Sequence, residues 1–431
     1  MERRKVLIIT YYWPPSGGSG VQRWLKFTKY LREFGWEPVI YTPANPELMA
    51  VDNSLSAEIP DDIQVVKKDI TEPYSIYRAI TGKKKGDIKP GFINTGGGVS
   101  LFIRSNLFIP DPKCLWIAPS RRYLKKWLRE NPVDAIVSTG PPHSMHLIAK
   151  GVAKSLGIPW LADFRDPWTK MFTFKYMNYS APVRSIHATL ERRVVRGADM
   201  VLTVTDTIAG ELSGVRRGGE VPVITNGYDP ADFPEREVTL DKEFSITYTG
   251  LFVKSQNPLI LWKILAEWVK QNPEFAQVLK IRLVGHTDES ILQSIENAGL
   301  NPYLEKIDYM SHDKVTELQR SSQLLLLSGG MEPESRGILT GKFFEYLASR
   351  RPIIGFGPKG GDMDIALCES EGGAMFDYDD ERGSRRWLEE RYAEYLSGAV
   401  PPADGNIEKY SRKELTKRLA LLLDKITRER K

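Results

Sequence analysis

The chain alternates short apolar segments with longer amphipathic ones, and this alternation restricts its fold more than any other feature. Lys5–Thr10 predicts a buried strand, apolar residues then recur at helical spacing from Val21 to Leu31, and Gly35 ends the helix. Glu37–Thr42 predicts the next strand. A strand, a helix and a second strand in this order form a βαβ unit, which makes the two strands parallel.

The same alternation continues along most of the chain. Further strands are predicted at Asp134–Ser138, Pro159–Asp163, Asp199–Thr205, Val221–Thr225, Phe244–Thr249, Leu279–Val284, Gln323–Ser328 and Pro352–Phe356. Helices are predicted at about 144–156 and 182–196. We therefore predict an α/β protein with two Rossmann-like, doubly wound domains that face each other across a cleft. Ligands of such sheets bind beyond the carboxyl ends of the strands.

Chain length and local composition suggest where the domains divide. At roughly 150 residues per domain, a chain of 431 residues has room for two or three. We predict a first domain at 1–228, a Pro- and Asp-rich linker at 229–241 and a second domain at 242–405. A C-terminal helix follows at 406–431, with a return to the first domain as one option. Residues 70–130 break the alternation and predict a loosely structured surface insertion.

The insertion accounts for the net positive charge of the chain, which is +5 in total. Residues 78–130 contain twelve Lys or Arg and three Asp or Glu, and the basic residues near 121–129 follow apolar segments. This pattern suits an anionic membrane surface contacted through residues 100–130, but equally a core hairpin followed by a solvated helix. Nucleic acid is not expected as a partner, because no known binding module is present.

Cysteine usage and hydropathy point to an intracellular location. Cys114 and Cys368 are the only cysteines, and their separation gives neither a disulfide framework nor metal-binding spacing. No uninterrupted apolar stretch approaches the roughly 20 residues that span a bilayer. We expect a cytoplasmic protein, with peripheral attachment to the inner face of the cell membrane as an option.

One motif of the second domain points to nucleotide-sugar recognition. Gly341 precedes Lys342, and Glu345 follows one turn later on the same helix face. A helix that starts at a glycine can approach a ligand closely with its unpaired N–H groups and positive dipole end. This start suits a diphosphate, and the carboxylate suits a ribose hydroxyl pair. Asp362 and Asp364 are interpreted as helix-capping residues rather than metal ligands.

A glycine-rich loop in the first domain offers a second phosphate or sugar contact. Gly17 and Gly18 lie between the first strand and the first helix, where backbone N–H groups can approach phosphate oxygens. The loop matches neither the dinucleotide fingerprint nor the P-loop, so a simple flexible turn is the alternative. Arg23, one turn into the helix, either adds charge to this site or is solvated.

Two further strand ends of the first domain carry candidate residues. His143 follows the strand at 134–138 and is expected at the cleft, whereas a structural role is the alternative. Asp163 and Asp166 flank Arg165 after the next strand. This group can either anchor substrate hydroxyls or hold a loop through ion pairs.

Taken together, these motifs resemble the family-four glycosyltransferases of GT-B fold, over nearly the full length of the chain. The resemblance is carried by Gly17-Gly18, Asp163–Trp168, Asn226–Asp229, Tyr248–Gly250 and Gly341–Ala348. It is strongest to the bacterial branch that serves surface polysaccharide assembly. It implies a retaining transfer of a sugar from a nucleotide-sugar to a saccharide or lipid-linked saccharide acceptor, without a metal or another cofactor.

The resemblance also implies roles for individual residues. The first domain would be the acceptor side and the second the nucleotide-sugar-binding domain. The implied donor-binding residues are Gly17, Gly18, Gly250, Lys254, Lys342 and Glu345. The catalytic candidates are His143, Asp166 and Lys342, and the acceptor-binding or loop-anchoring candidates are Arg23 and Arg165. In this scheme Lys342 neutralises the diphosphate and Glu345 holds the ribose.

Two departures from the family pattern keep other functions open. Gly337 stands where the family often has a first glutamate, and Glu332 or Glu334 are the nearest substitutes. Only Lys254 remains of the basic pair that often follows the glycine of the second domain's first strand. Both departures favour one alternative, a non-catalytic nucleotide-sugar-binding scaffold. A nucleotide-sugar epimerase with a similar two-domain fold is the other alternative. The sequence identifies neither the donor base and sugar, nor the acceptor, linkage or oligomeric state.

Overall fold

The computed structural model divides the chain into two compact units. It describes residues 3–48, 51–72, 102, 105–171, 174, 176–234, 236–308, 310–399 and 405–429. One unit comprises Met1–Thr225 with Arg412–Lys431, and the other comprises Asn226–Ser411. Most of the predicted insertion, 73–101 and 103–104, lies outside the described residues.

The first unit contains a parallel six-stranded sheet. Its strands are β1 (Arg4–Ile9), β2 (Trp36–Pro43), β3 (Gln64–Lys68), β4 (Ala135–Gly140), β5 (Trp160–Phe164) and β6 (Met200–Thr203). Their order across the sheet is β3-β2-β1-β4-β5-β6. The central strands are buried on both faces because helices cover the sheet on each side, as their continuous apolar sequence predicts.

Six helices surround this sheet within the described residues of the first unit. They are α1 (Ser19–Leu31), α2 (Ile117–Glu130), α3 (Ser144–Leu156), α4 (Ala181–Val195), α5 (Asp206–Arg216) and, at the end of the chain, α13 (Arg412–Arg428). The apolar stripe of α13, with Leu415, Leu419 and Leu423, packs on α1 in one shared core. The last helix is thus a structural part of the first unit.

The second unit repeats the same architecture. Its strands are β7 (Phe244–Thr249), β8 (Leu279–Val284), β9 (Leu304–Ile307), β10 (Leu324–Ser328), β11 (Ile353–Phe356) and β12 (Gly373–Phe376). Its α-helices are α6 (Leu259–Gln271), α7 (Pro273–Val278), α8 (Glu289–Asn297), α9 (His312–Ser321), α10 (Gly341–Ala348), α11 (Asp362–Glu369) and α12 (Glu381–Ser397). The strand order is β12-β11-β10-β7-β8-β9, again parallel, so both sheets have the Rossmann topology.

Three expectations about local structure are corrected. Val221–Thr225 is not a strand, because only Val223 forms an isolated bridge, to Thr203 at the edge of β6. The described part of the predicted insertion is not loose, since Trp116 is buried and α2 packs on α3. The predicted linker at 229–241 belongs to the second unit and contains a short 3₁₀ helix, Pro230–Asp232.

Among the described helices, none combines the length and hydropathy that a bilayer crossing requires.

Candidate functional site

Each sheet reverses its winding direction at one point, and the loops there form the expected ligand site. In the first unit the reversal lies between β1 and β4, and in the second it lies between β7 and β10. Because the paired strands are parallel, their carboxyl ends open at the same edge. Helices leave this edge towards opposite faces of the sheet, which opens a crevice for a ligand.

In the second unit, Lys342 is held at the carboxyl end of β7. It lies in the first turn of α10, and its ammonium nitrogen is 3.6 Å from the centroid of the Tyr248 ring. That ring is fixed in turn, because it stacks on Phe252 at 3.8 Å and its hydroxyl donates to the carbonyl of Leu251 at 2.7 Å. A cation over an aromatic face is attracted by the ring electrons. The amine is therefore positioned by the protein before any ligand binds.

Two glycines let the backbone approach this amine closely. Gly250 has φ of 97°, and a Cβ atom there would lie 3.3 Å from Cε and 3.5 Å from Nζ of Lys342. A Cβ atom on Gly285 would lie only 2.8 Å from the carbonyl oxygen of Gly250. Larger residues would strain both positions. The structure thus brings together Gly250 and Lys342, two of the predicted donor-binding residues.

The surroundings of Lys342 favour its neutral form. Burial lowers the pKa of its amine to about 7, and the nearby Glu345 carboxylate partly opposes this effect. An anion placed beside the amine would restore the charge, since an opposite charge favours the protonated form. Lys342 is therefore suited to take up a proton together with an anionic ligand.

Glu345 lies one turn after Lys342, with its carboxylate partly exposed. Its Oε1 atom is 3.4 Å from Nε2 of His312, the first residue of α9. The hydroxyl of Thr340, the N-cap residue of α10, is buried without a hydrogen-bond partner among the described residues. Sequence reasoning missed His312, Thr340 and Tyr248 as site residues. Thr340 had a local signal, its position just before the helix start, and Tyr248 belongs to the Tyr248–Gly250 motif that carries the family resemblance.

The other residues named for this region in the sequence analysis differ in their exposure. Lys254 begins a short 3₁₀ helix after the Gly250 loop and is exposed. Gly337 is buried, whereas Glu332 and Glu334 are exposed. The substitution of either glutamate for the missing carboxylate stays a prediction.

In the first unit, Gly17 and Gly18 form the turn that leads into α1. Gly18 is the N-cap residue with φ of 94°, a backbone conformation that favours glycine, and no side chain caps the helix. A Cβ atom at Gly18 would meet no atom within 4 Å. The backbone at the start of α1 is therefore accessible on this side, as a contact with a phosphate or a sugar requires.

Arg23 is neither solvated nor available to a phosphate. It is fully buried, and its guanidinium donates two hydrogen bonds to the carboxylate of Asp163 at 3.0 and 3.2 Å and one to the carbonyl of Thr225 at 2.8 Å. Asp163 also accepts hydrogen bonds from the Trp24 indole and the Thr139 hydroxyl. Burial of both charges explains the pairing, since either one alone would be costly in the core. This pair anchors the end of the first unit's sheet.

Arg165 connects the loops around the first reversal point. Its guanidinium donates to the carbonyls of Gly20, at 2.8 Å, and Pro141, and its own N–H donates to the carbonyl of Gly140 at 2.9 Å. These contacts fix the start of α1 relative to the loop after β4. The neighbouring Asp166 is half-buried, and this burial raises the pKa of its carboxyl group.

His143 lies in a stack of aromatic rings after β4. Its ring lies parallel to that of Trp168, with centroids 4.3 Å apart, and the Trp168 indole donates to Nδ1 of His187 at 3.0 Å. Nδ1 of His143 is buried and has no partner among the described residues. Burial lowers the pKa of His143 well below its usual value, and the neighbouring His146 adds to this effect. His143 is therefore a neutral imidazole, which can donate one hydrogen bond and accept another.

Of the two acidic residues interpreted as helix-capping, Asp362 and Asp364, the contacts of Asp364 are structural. Asp364 accepts a hydrogen bond from the backbone N–H of Gly360 at 2.7 Å and lies 3.4 Å from the Lys359 amine, close to the start of α11. Within the described ranges, no three His, Cys, Asp or Glu side chains group as a metal site would require.

The two sheets and their helices define the chain as an α/β protein of the GT-B fold. Within it, residues 95–227 match the sequence profile of the family described as "Glycosyl transferase 4-like domain". No curated protein sequence matches the chain. The domain match and the fold together support a glycosyltransferase.

Solved structures of the same fold cover nearly the whole chain at low sequence identity. A sucrose-phosphate synthase from Thermosynechococcus elongatus has a TM-score of 0.64 and 12% identity, over 99% of this chain and 100% of that one. The lipopolysaccharide outer core galactosyltransferase WaaB has a TM-score of 0.59 and 14% identity, over 97% and 99%. A structure named as a UDP-N-acetylglucosamine 2-epimerase from Listeria monocytogenes has a TM-score of 0.55 and 9% identity, over 99% and 97%. Identities this low establish a common fold only.

Proposed function

We propose that this protein transfers a sugar from a nucleotide-sugar donor to a saccharide or lipid-linked saccharide acceptor during cell-surface polysaccharide synthesis. The glycosyl transferase 4-like match and the GT-B fold support the reaction class. The pathway is proposed from the motif resemblance to glycosyltransferases of surface polysaccharide assembly, and a lipopolysaccharide galactosyltransferase shares the fold. We further propose that the anomeric configuration is retained and that no metal takes part.

The observation that carries this proposal is the arrangement around Lys342. A partly neutral amine is held over Tyr248, next to the open backbone of Gly250, at the start of a helix. A diphosphate at this place would meet the amine, the helix N-terminus and the Thr340 hydroxyl together. Glu345, one turn along the helix, would then accept hydrogen bonds from ribose hydroxyls.

The proposed mechanism depends on charge stabilisation of the leaving group. As the sugar departs, negative charge develops on the diphosphate, and Lys342, Lys254 and the helix N–H groups would stabilise it. The attacking hydroxyl would approach from the same face, with the departing phosphate as its base. His143 and Asp166 are the groups that we assign to the acceptor side. His143 would act there through hydrogen bonds rather than charge, because its imidazole is neutral.

The acceptor also bears on the location of the protein. If it is lipid-linked, the enzyme must work at a membrane surface, and the basic helix α2 provides side chains for an anionic one. We propose peripheral association with the inner face of the cell membrane through residues 100–130.

A donor-turnover assay tests the proposal directly. Purified protein is incubated with UDP- and GDP-sugars and candidate acceptors, release of nucleoside diphosphate is followed, and NMR reports the anomeric configuration of the product. Lys342→Met should lower turnover by about a hundredfold or more, the typical cost of losing one transition-state charge contact. Lys306→Met makes the same chemical change on the exposed edge strand β9 and should leave turnover unchanged. Full turnover by Lys342→Met would refute the assigned site.

The same assay separates the alternatives. An epimerase, favoured only by the fold shared with one such structure, would convert a UDP-sugar to its epimer without acceptor. A binding scaffold would bind nucleotide-sugars in calorimetry but release no nucleoside diphosphate. Either result would replace the transferase proposal.

A further inference from the structure

A basic groove on the first unit lies outside the loops discussed so far. It has a volume of about 680 Å³ and is lined by residues of α2, α3 and α4. Five of its side chains are cationic, namely Arg121, Lys125, Lys150, Lys154 and Arg193. None of the described residues that line it is acidic, and none of the five cations forms an ion pair within the described part of the chain.

Two of these cations are held in place by backbone carbonyls. The Arg121 guanidinium donates to the carbonyl of Leu147, at 3.0 Å from Nε, and the Lys150 amine donates to the carbonyl of Arg193 at 2.8 Å. Burial and the charges of Arg193, Lys154 and Arg121 all lower the pKa of Lys150. The groove therefore concentrates positive charge that the protein does not neutralise, which is the electrostatic complement of a multiply charged anion.

A glycine in the middle of α3 makes room for this arrangement. A Cβ atom on Gly151 would lie 2.7 Å from Cδ and 2.8 Å from Cζ of Arg121, and closer still to Nε. Glycine inside a helix costs roughly 0.5–1 kcal/mol relative to alanine, so its presence here needs a packing or functional reason. It allows the Arg121 side chain to lie across α3 and into the groove.

Apolar groups accompany the charges. Ile117, Leu147 and Leu190 also line the groove. Leu107 and Leu115, in the segment that leads into α2, are 69% and 41% exposed. Cations together with exposed apolar side chains suit the surface of a lipid bilayer better than a soluble anion.

We propose that this groove binds the phosphate headgroup of an anionic lipid and prefers phosphomonoester or diphosphate groups to phosphodiesters. The preference follows from the five converging cations, since a phosphomonoester carries nearly two charges at neutral pH and a phosphodiester only one. This inference rests on the membrane association in the proposed function. It adds a defined binding site for a lipid headgroup to the general attraction between basic side chains and an anionic surface.

The experiment uses the full chain and vesicles of phosphatidylcholine mixed with either phosphatidic acid or phosphatidylglycerol, matched in surface charge. Two lysines adjacent in α2 provide a controlled pair, because Lys125 lines the groove and Lys126 is exposed outside it. Lys126→Gln should weaken binding to both lipids equally, by up to about fivefold. Lys125→Gln should weaken binding to phosphatidic acid by more than about fivefold. It should also reduce the preference of the protein for phosphatidic acid over phosphatidylglycerol.

Gly151→Ala provides a test without any change of charge. It should displace Arg121 and reduce the preference for phosphatidic acid several-fold, while binding to phosphatidylglycerol changes little; circular dichroism checks that the variant is folded. Equal losses for Lys125→Gln and Lys126→Gln on both lipids would overturn the headgroup site but leave peripheral attachment intact. Binding of inorganic pyrophosphate without binding of any vesicle would overturn the lipid assignment altogether. Sugar transfer to a water-soluble acceptor, measured in parallel, reports separately on the transferase proposal.

Discussion

The affinity of the second unit for a nucleoside diphosphate should depend on pH through Lys342. In the unliganded protein the pKa of this amine is about 7, because the side chain lies over Tyr248 and is partly withdrawn from water. A diphosphate beside the amine favours the protonated form and raises the pKa. The bound state then holds more protons than the free state, so affinity must fall as the pH rises above 7.

The size of the effect follows from the fraction of amine that is already charged. With a pKa of about 7, about half of the molecules carry the proton at pH 7 and about one in a hundred at pH 9. The dissociation constant should therefore rise about fiftyfold over this range. The ligand itself contributes little, since the last ionisation of its terminal phosphate lies near pH 6. Tyr248 and Tyr346 stay neutral, because burial raises the pKa of both phenols.

Isothermal titration of UDP and GDP at pH 7, 8 and 9 measures how the dissociation constant depends on pH. Repeating the titrations in buffers of different ionisation enthalpy gives the number of protons taken up on binding. At pH 8 the uptake should be close to one proton. Lys342→Arg keeps its charge throughout this range and should bind with nearly constant affinity. Lys342→Met should bind weakly at every pH. Constant affinity of the unmodified protein from pH 7 to 9, or an equal slope in Lys342→Arg, would refute the reasoning.

Four other outcomes are expected. Asp163→Ala leaves the Arg23 guanidinium buried without its partner and should destabilise the first unit by about 3–5 kcal/mol in urea unfolding; a loss below 1 kcal/mol would contradict the anchoring role. Glu345→Gln should weaken binding of UDP but not of inorganic pyrophosphate in calorimetry, because only UDP carries the ribose. Gly250→Ala should lower the melting temperature by an amount equivalent to about 1 kcal/mol or more and weaken UDP binding, since its Cβ strains a φ of 97° and crowds Lys342. EDTA should leave the transfer rate unchanged, whereas recovery of a lost rate by added Mn²⁺ or Mg²⁺ would show that a metal is needed.

The fold could be predicted where strands are buried on both faces. β1 and β10 contain continuous apolar runs, Val6–Ile9 and Leu324–Leu327, and their predicted and observed positions agree closely. Three strands escaped prediction, β3, β9 and β12, and all three lie at sheet edges. These three strands are only partly covered, so their sequences lack the apolar run that marks a buried strand.

The candidate site could be predicted only as far as local spacing extends. Lys342 and Glu345 were paired because residues three apart share a helix face. The Tyr248 ring under Lys342 lies on another element, and no local pattern indicates that contact. Arg23 illustrates the same limit, since its partner Asp163 is 140 residues away in sequence. Its position near a helix start suggested a ligand contact, but tertiary packing buried it.

The return of α13 to the first unit has a consequence for biosynthesis. The residues of α13 that complete the core beside α1 are translated only after the whole second unit. Domains usually fold in the order in which they leave the ribosome. In this protein the first unit keeps an uncovered apolar surface beside α1 until the second unit and α13 have been synthesised. Truncation of α13 would leave that surface permanently exposed and prone to aggregation.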